Sequence, residues 1–259
     1  MLMMLPKPLQ MILSSMYHIR VGSYHSDNPI YAKIEGGDDT FFVPEARVAK
    51  DYFNTGLYER GYIRWSCENF VKEGMDCIDI GAHIGMYTVE MAKRANRVHS
   101  FECSPKSFNY LCANLLLRDI SYKVTTYNTA LSDKKGITKY YIRDQKDGGG
   151  NGVSGFEVDA NVPTIDVPMV TLDSYNLTNI SFIKIDVEAH EEFVLRGAVE
   201  TIRANGYPPI MFESWPERYT QYPCKEIRKS LFDFIESIGY KIVQLSGGDD
   251  MFLATKAKV

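Results

Sequence analysis

Seven short β-rich runs, at residues 77–80, 98–101, 124–128, 182–185, 210–212, 241–245 and 251–254, alternate with helical patterns along most of the chain. Apolar runs this short, bounded by turn signals, are the length of buried strands. Strands separated by helices join a parallel sheet through crossovers that lay helices on both of its faces. The alternation predicts an α/β fold, one doubly wound domain around a mainly parallel seven-stranded sheet.

Local signals mark the other elements. Ser104 is placed to cap a helix, Pro105 suits its first turn, and Phe108, Leu111, Cys112, Leu115 and Leu116 repeat at helical spacing. Ile227, Leu231, Phe234, Ile235 and Ile238 share one face of a later helix that Gly239 ends. Residues 137–142 and 167–172 read as two further strands around the loop 147–152, a β-hairpin insertion expected to form part of a substrate-side rim. Residues 31–70, with Phe53, Leu57, Tyr58, Tyr62 and Trp65, are expected to pack as an N-terminal helical cover over the site. The chain thus divides into an arm and cover segment, 1–70, and a cofactor-binding domain, 71–259.

Residues 1–16 are apolar, but they carry Pro6 and Pro8 and are too short to span a bilayer, so membrane contact is not expected. The net charge is −4 and the lysines and arginines form no run, which argues against nucleic acid as a partner. Cys67, Cys77, Cys103, Cys112 and Cys224 make no C-x-x-C pair; they read as reduced residues of a cytoplasmic protein.

The stretch Asp79-Ile80-Gly81-Ala82-His83-Ile84-Gly85 follows the first core strand directly and precedes the helical stretch 87–94. At such a strand-to-helix turn Gly81 lets the backbone approach a ligand, and Gly85 lets the helix pack closely. The G-x-G-x-x-G spacing that cradles a pyrophosphate is absent, which weakens a nicotinamide-dinucleotide reading. Asp79, ahead of the glycines, suits a ligand carrying ammonium and sulfonium groups. Glu102, after the next strand, stands where a carboxylate accepts hydrogen bonds from ribose hydroxyls. The plainer alternative makes Asp79 and Glu102 caps of helices or turns.

With Phe101-Glu102, Asn128-Thr129-Ala130-Leu131-Ser132, Lys184-Ile185-Asp186-Val187-Glu188-Ala189-His190-Glu191 and Val194-Leu195-Arg196-Gly197-Ala198 following in order, the chain resembles the FkbM family of methyltransferases from about residue 53 onward. The resemblance implies a Rossmann-like methyltransferase fold, S-adenosylmethionine as methyl donor and a hydroxyl acceptor, often of a sugar or polyketide. By motif position it implies cofactor contacts from Asp79, Gly81, Ala82, His83, Gly85 and Asp186, a ribose contact from Glu102, and an adenine-side role for Asn128 and Ala130. His83, Cys103 and Ala189 depart from the family's usual Asn, Pro and Gly.

Methyl transfer from a sulfonium is an in-line displacement, and a weakly acidic hydroxyl must lose its proton during or soon after attack. Asp186, at the carboxyl end of a core strand, is the best-placed base, with Glu188, His190 and Glu213 completing an acidic rim. A divalent metal on Asp186, Glu188 and Glu213 is compatible with their oxygen ligands, although no spacing demands it. For Glu191 and Glu192 the plainer role is charge at a helix N-terminus. Trp215, Tyr219 and Tyr222 read equally as a platform for a sugar face or as packing aromatics. The expected activity is O-methylation of a sugar, glycan or related small molecule. The alternatives are a protein or lipid acceptor, or a cofactor-binding module without turnover.

Overall fold

The computed structural model describes residues 30–32, 41–43, 60–143, 150–246 and 250–256. In chain order the elements are β1 (Ile30–Ala32), β2 (Phe41–Val43), α1 (Arg60–Phe70), β3 (Asp76–Ile80), α2 (Met86–Ala92), β4 (Val98–Phe101), α3 (Pro105–Leu117), β5 (Val124–Tyr127), β6 (Ala130–Leu131), β7 (Gly136–Tyr141), β8 (Thr164–Val170), β9 (Ile180–Ile185), α4 (Glu191–Arg196), α5 (Val199–Ala204), β10 (Ile210–Glu213), α6 (Cys224–Ser237), β11 (Tyr240–Gln244) and β12 (Met251–Lys256).

The main sheet has seven strands in the order β11-β12-β10-β9-β3-β4-β5. The strands from β10 to β5 run parallel, and β12 is antiparallel to both β10 and β11. From β3 the chain winds outward to β4 and β5, then returns to place β9 on the other side of β3. The crevice above a reversal of this kind is where ligands bind in open α/β sheets. Register makes the strand ends level: Ile80 pairs with Phe101 and Ile185, Phe101 with Tyr127, and Ile185 with Phe212. The next residues, Gly81, Glu102, Asn128, Asp186 and Glu213, therefore emerge together along one edge.

Alternation along the strands feeds two core layers. Cys77, Phe182 and Met211 meet Ile63, Cys67, Met91 and Leu111 from the helices on one face. Ile78, Ile80, Ile183, Ile185 and Phe212 meet Val194, Leu231 and Ile235 on the other. Helix α3 starts as its sequence predicts, with Ser104 Oγ accepting from the Ser107 N–H at 3.2 Å and Pro105 in the first turn. Gly239, at φ +95°, follows the C-cap of α6.

Two expectations are corrected. The insertion is a three-stranded sheet, β6-β8-β7, in which the antiparallel β7–β8 hairpin gains a parallel partner in β6. The strand β6 spans only Ala130–Leu131, too short to show a period. The cover is not wholly helical: α1 carries Tyr62 and Trp65, but β1 and β2 form an antiparallel pair, as their β-branched and aromatic residues favour. Phe53, Leu57, Tyr58 and the 1–16 arm lie outside the described residues. Among the described residues no helix is long and apolar enough to cross a membrane.

Candidate active site

A cavity of about 160 Å³ opens above the ends of β3, β4 and β9, walled by Gly81, Glu102, Thr129, Ala130 and Tyr140 on one side and by Asp186, Glu188, His190 and Glu213 on the other. The insertion closes it with Asn151, Gly152 and Val153. A smaller cavity of about 70 Å³ shares Gly81, His83, Met86 and Asp186 and continues to Ala82, Tyr87, Lys184 and Ile63 of α1.

The glycine turn is shaped by the protein itself. Gly81 has φ +77°, and a Cβ there would lie 1.7 Å from the Asp186 carbonyl oxygen. Gly85, at φ +93°, caps α2 where a Cβ would stand 2.7 Å from Leu111 Cδ1. So Gly85 serves helix packing, against α3 rather than the strand, and Gly81 lets the end of β9 close on the turn.

Glu102 accepts from the His83 N–H at 2.8 Å on one oxygen and from the Ser104 N–H at 2.7 Å on the other. Each oxygen has capacity for a further hydrogen bond and Glu102 lines the cavity, an arrangement that fits a vicinal diol such as a ribose. Burial raises its carboxyl pKa against the lowering effect of those backbone N–H groups.

Asp79, Gly85 and Asn128 border neither cavity. Asp79 is wholly buried, accepting from Thr88 Oγ1 at 2.5 Å while its Oδ1 has no hydrogen-bond partner. Asn128 Nδ2 donates to the Glu102 carbonyl at 2.8 Å and so braces the chain after β4.

On the opposite wall Lys184 Nζ donates to Asp186 Oδ2 at 3.0 Å, and the Asp186 N–H donates to the Ile80 carbonyl at 3.0 Å. The next turn is strained: Glu188 and Ala189 have φ of 57° and 68°, left-handed values that cost a residue with a Cβ roughly 1–2 kcal/mol. Glu188 accepts from the Gly150 N–H at 2.9 Å and from Trp215 Nε1 at 2.8 Å. Burial, then the nearby Asp186 charge, pushes its carboxyl up to about 7. Glu213 is pushed well above the usual carboxylate range by burial and then by Glu188, Asp186 and Glu191, and its Oε2 is buried without a partner. One ligand oxygen each from Asp186, Glu188 and Glu213 lies within 4.8 Å of the others. Such a group can share a proton or hold a hard divalent cation.

His190 is tied at both nitrogens, Nε2 at 3.0 Å from Ser132 Oγ and Nδ1 at 3.2 Å from Ser154 Oγ. Burial pushes its pKa down to about 4, which keeps the ring neutral. It joins the end of β6, the insertion and the β9 turn. Glu191 accepts from the Val187 N–H at 3.0 Å, buttressing that turn, and borders neither cavity. The exposed pairing of Glu192 with Arg196, 2.7 Å apart, is a helix-surface contact.

Trp215 is buried, packed against the tilted rings of Phe156 and Tyr222 with centroids 5.7 and 4.7 Å away. Neither it nor Tyr219 nor Tyr222 borders either of these two cavities; Trp215 is a packing residue, whereas Tyr219 is exposed. Arg143 donates to both oxygens of the buried Asp159 and to the carbonyls of Gly150 and Ser154, fastening the insertion beside the wall.

Sequence reasoning missed Lys184, Tyr140, Asn151 and the Ser132 and Ser154 partners of His190. For Lys184 a signal exists, a lone charge inside the otherwise buried strand β9. The others meet only through the fold.

The Methyltransferase FkbM domain matches residues 79–242, well over half of the chain. No curated protein matches the sequence significantly. Similar solved structures include the methyltransferase FkbM of Methylobacillus flagellatus KT, at 16% identity over 82% of this chain and 48% of that one, TM-score 0.49. A precorrin-6y C5,15-methyltransferase of Geobacter metallireducens GS-15 is similar at 11% identity, over 84% and 94% of the chains, TM-score 0.49. A SAM-dependent O-methyltransferase of Thermotoga maritima is similar at 12% identity, over 88% and 78%, TM-score 0.49. The chain spans about half the length of the Methylobacillus protein.

Proposed function

This chain belongs to the FkbM family of S-adenosylmethionine-dependent methyltransferases, and from that premise we propose that it methylates a hydroxyl of a sugar, glycan or related small molecule. The observation that carries the reading is the carboxylate wall of Asp186, Glu188 and Glu213, whose ligand oxygens lie within 4.8 Å of one another. A base that takes a hydroxyl proton near neutral pH works best with a pKa near 7, and the Glu188 carboxyl is pushed up to about 7.

When bound, S-adenosylmethionine supplies a methyl group on a sulfonium, an electrophile that needs little beyond an aligned nucleophile. Of the residues lining the cavity, Glu102 would hold the ribose, the Gly81–His83 turn would border the cofactor, and Asn151–Val153 of the insertion would shield the acceptor side from water. Glu188, oriented by the Gly150 N–H and Trp215 Nε1, receives the acceptor proton. An acidic wall repels phosphorylated acceptors and accepts hydrogen bonds from a polyol, which supports a neutral polar substrate.

Methyl transfer from labelled cofactor to a panel of sugars and glycan fragments, with peptides and lipids as controls, tests the acceptor class. Carbohydrates are expected to be labelled. Transfer to peptides or lipids alone would overturn that class, and transfer to no acceptor would leave a cofactor-binding module. Glu188→Gln is expected to lower turnover by about 10²–10⁴-fold with S-adenosylhomocysteine affinity kept; unchanged turnover removes Glu188 as the base.

The same wall supports a second reading, a divalent cation held by Asp186, Glu188 and Glu213 that lowers the hydroxyl pKa as a Lewis acid. Activity lost in EDTA and restored by magnesium would favour it, and activity indifferent to chelator would favour the base.

A further inference from the structure

The two donors that orient Glu188 come from distant parts of the chain, and one side chain touches both. Gly150 of the insertion gives its N–H to Glu188 Oε1 at 2.9 Å, and Trp215, beyond the end of β10, gives Nε1 to Oε2 at 2.8 Å. Arg143 Nη1 donates to the Gly150 carbonyl at 3.0 Å. Its guanidinium carbon stands 5.9 Å from the centroid of the Trp215 ring, with Tyr141 and Phe156 at 5.5 and 5.6 Å. The rest of the fork grips Asp159, whose two oxygens lie 2.9 and 3.0 Å from Nε. A planar cation with five donors in fixed directions can hold a carboxylate and backbone carbonyls at once.

Gly150 depends on such a hold. Its φ is +82°, and a Cβ there would meet no atom beyond its chain neighbours within 4 Å, so no packing fixes this conformationally free residue. Its backbone is set by the bonds it makes, with Arg143 on the C=O and Glu188 on the N–H. The turn it meets is strained: Glu188 and Ala189 keep φ of 57° and 68°, a state that persists only where the surroundings over-determine it. Ser154 pins the same turn, its Oγ donating to the Ala189 carbonyl at 3.1 Å, and Arg143 Nη2 donates to the Ser154 carbonyl. Arg143 thus reaches both insertion residues that fix the turn, yet it borders neither cavity.

We propose that Arg143 is a positioning residue for methyl transfer, which sets the place of the Glu188 carboxylate against the acceptor through Gly150 and Trp215. This rests on the reading of Glu188 as the base. The insertion then does more than exclude water, because its closure and the aim of the base depend on the same guanidinium.

A double-mutant cycle on the full chain, run with the carbohydrate labelled best in the acceptor panel, tests the proposal. Arg143→Met is expected to lower kcat by about 10–100-fold, the scale of a misplaced reacting group, with KM for that acceptor little changed. In a Glu188→Gln background the same substitution is expected to add almost nothing, since a missing base cannot be misplaced. Equal losses in both backgrounds overturn the inference, and so does a raised KM with kcat kept, which would leave Arg143 as a support for the roof. Should Arg143→Met fail to fold, Arg143→Lys, which keeps a cation for Asp159 but loses the fork, enters the cycle under the same criteria. A second readout needs no acceptor. The chain has two tryptophans, Trp65 and Trp215, so proton–nitrogen NMR gives two indole signals that Trp65→Phe assigns. Glu188→Ala defines where the Trp215 signal goes when its acceptor is lost, and the Arg143 variant is expected to move it toward that position. A Trp215 signal unmoved in a folded Arg143 variant overturns the inference, as does one that ignores Glu188→Ala. If Glu188→Gln keeps full turnover, the base reading fails and takes the inference with it. Lost turnover in Glu188→Gln with additive losses from Arg143 fails the inference alone.

Discussion

A methyl group on residue 81 would sit 1.7 Å from the carbonyl oxygen of Asp186, far inside contact distance. Gly81→Ala must therefore part the ends of β3 and β9. A loss of about 2 kcal/mol or more in denaturant unfolding is expected, together with weaker cofactor binding. Wild-type stability in this variant would show that the turn yields freely. The sequence places Gly81 at the strand end but carries no distance between β3 and β9, so ligand approach and backbone approach look alike in it. Glu102 was legible for the reason that it is the first residue past its strand. Asp79 sits inside its strand and turns inward, and its position ahead of the glycines did not reveal that.

Protonation also belongs to single residues. Glu188 has a folded pKa near 7, above its unfolded value, so the folded state binds the extra proton between about pH 4.5 and 7 and loses stability as pH rises through that window. His190 runs the other way: its folded pKa of about 4 lies below the unfolded value of about 6.5, so stability is lost as pH falls through that range. In melting curves from pH 4 to 8 the two contributions oppose each other over the shared range, so relative to the wild type the melting temperature is expected to rise more with pH in Glu188→Gln and to fall with pH in His190→Asn. Parallel curves for wild type and both variants would contradict these assignments.

At the scale of elements, the insertion sheet β6-β8-β7 forms the roof of the site and Arg143 fastens it. Asp159 is 3% exposed, and the Arg143 hydrogen bonds and charge hold its carboxyl below the usual carboxylate range. Removing the guanidinium leaves a buried carboxylate unpaired, a loss of about 3–5 kcal/mol borne mainly by this element. Arg143→Met is expected to speed amide exchange across residues 150–159 while β3, β4 and β9 stay protected, and unchanged exchange there would show that the roof holds without the clasp. Helix α3 and the β7–β8 hairpin were legible because capping and alternation are local signals. The strand β6 was not, because two residues define no period and its partner β8 lies more than thirty residues onward. The β1–β2 pair was missed for a similar reason, its strands having three residues each.

For the whole molecule, the alternation of elements foretold a mainly parallel seven-stranded sheet but not its strand order, and level register turned the order the fold adopts into a row of chemically distinct residues at one edge. What the sequence withheld was depth, meaning which charges face the cavities and which lie beneath them. A ligand that binds the folded state alone raises the melting temperature by mass action, so S-adenosylhomocysteine at 100 times its dissociation constant is expected to add about 2.7 kcal/mol. No thermal shift at saturating ligand would break the cofactor reading. The carboxylate wall has one further consequence. On the proposed reaction the enclosed space loses a sulfonium charge at the moment the wall gains a proton, so its total charge stays constant through the chemical step. The site is thereby spared a change in monopole, and only a displacement of charge over a few bond lengths remains. The imbalance is deferred until that proton escapes to bulk water, when the vacated pocket recovers its negative potential and draws in the next cation.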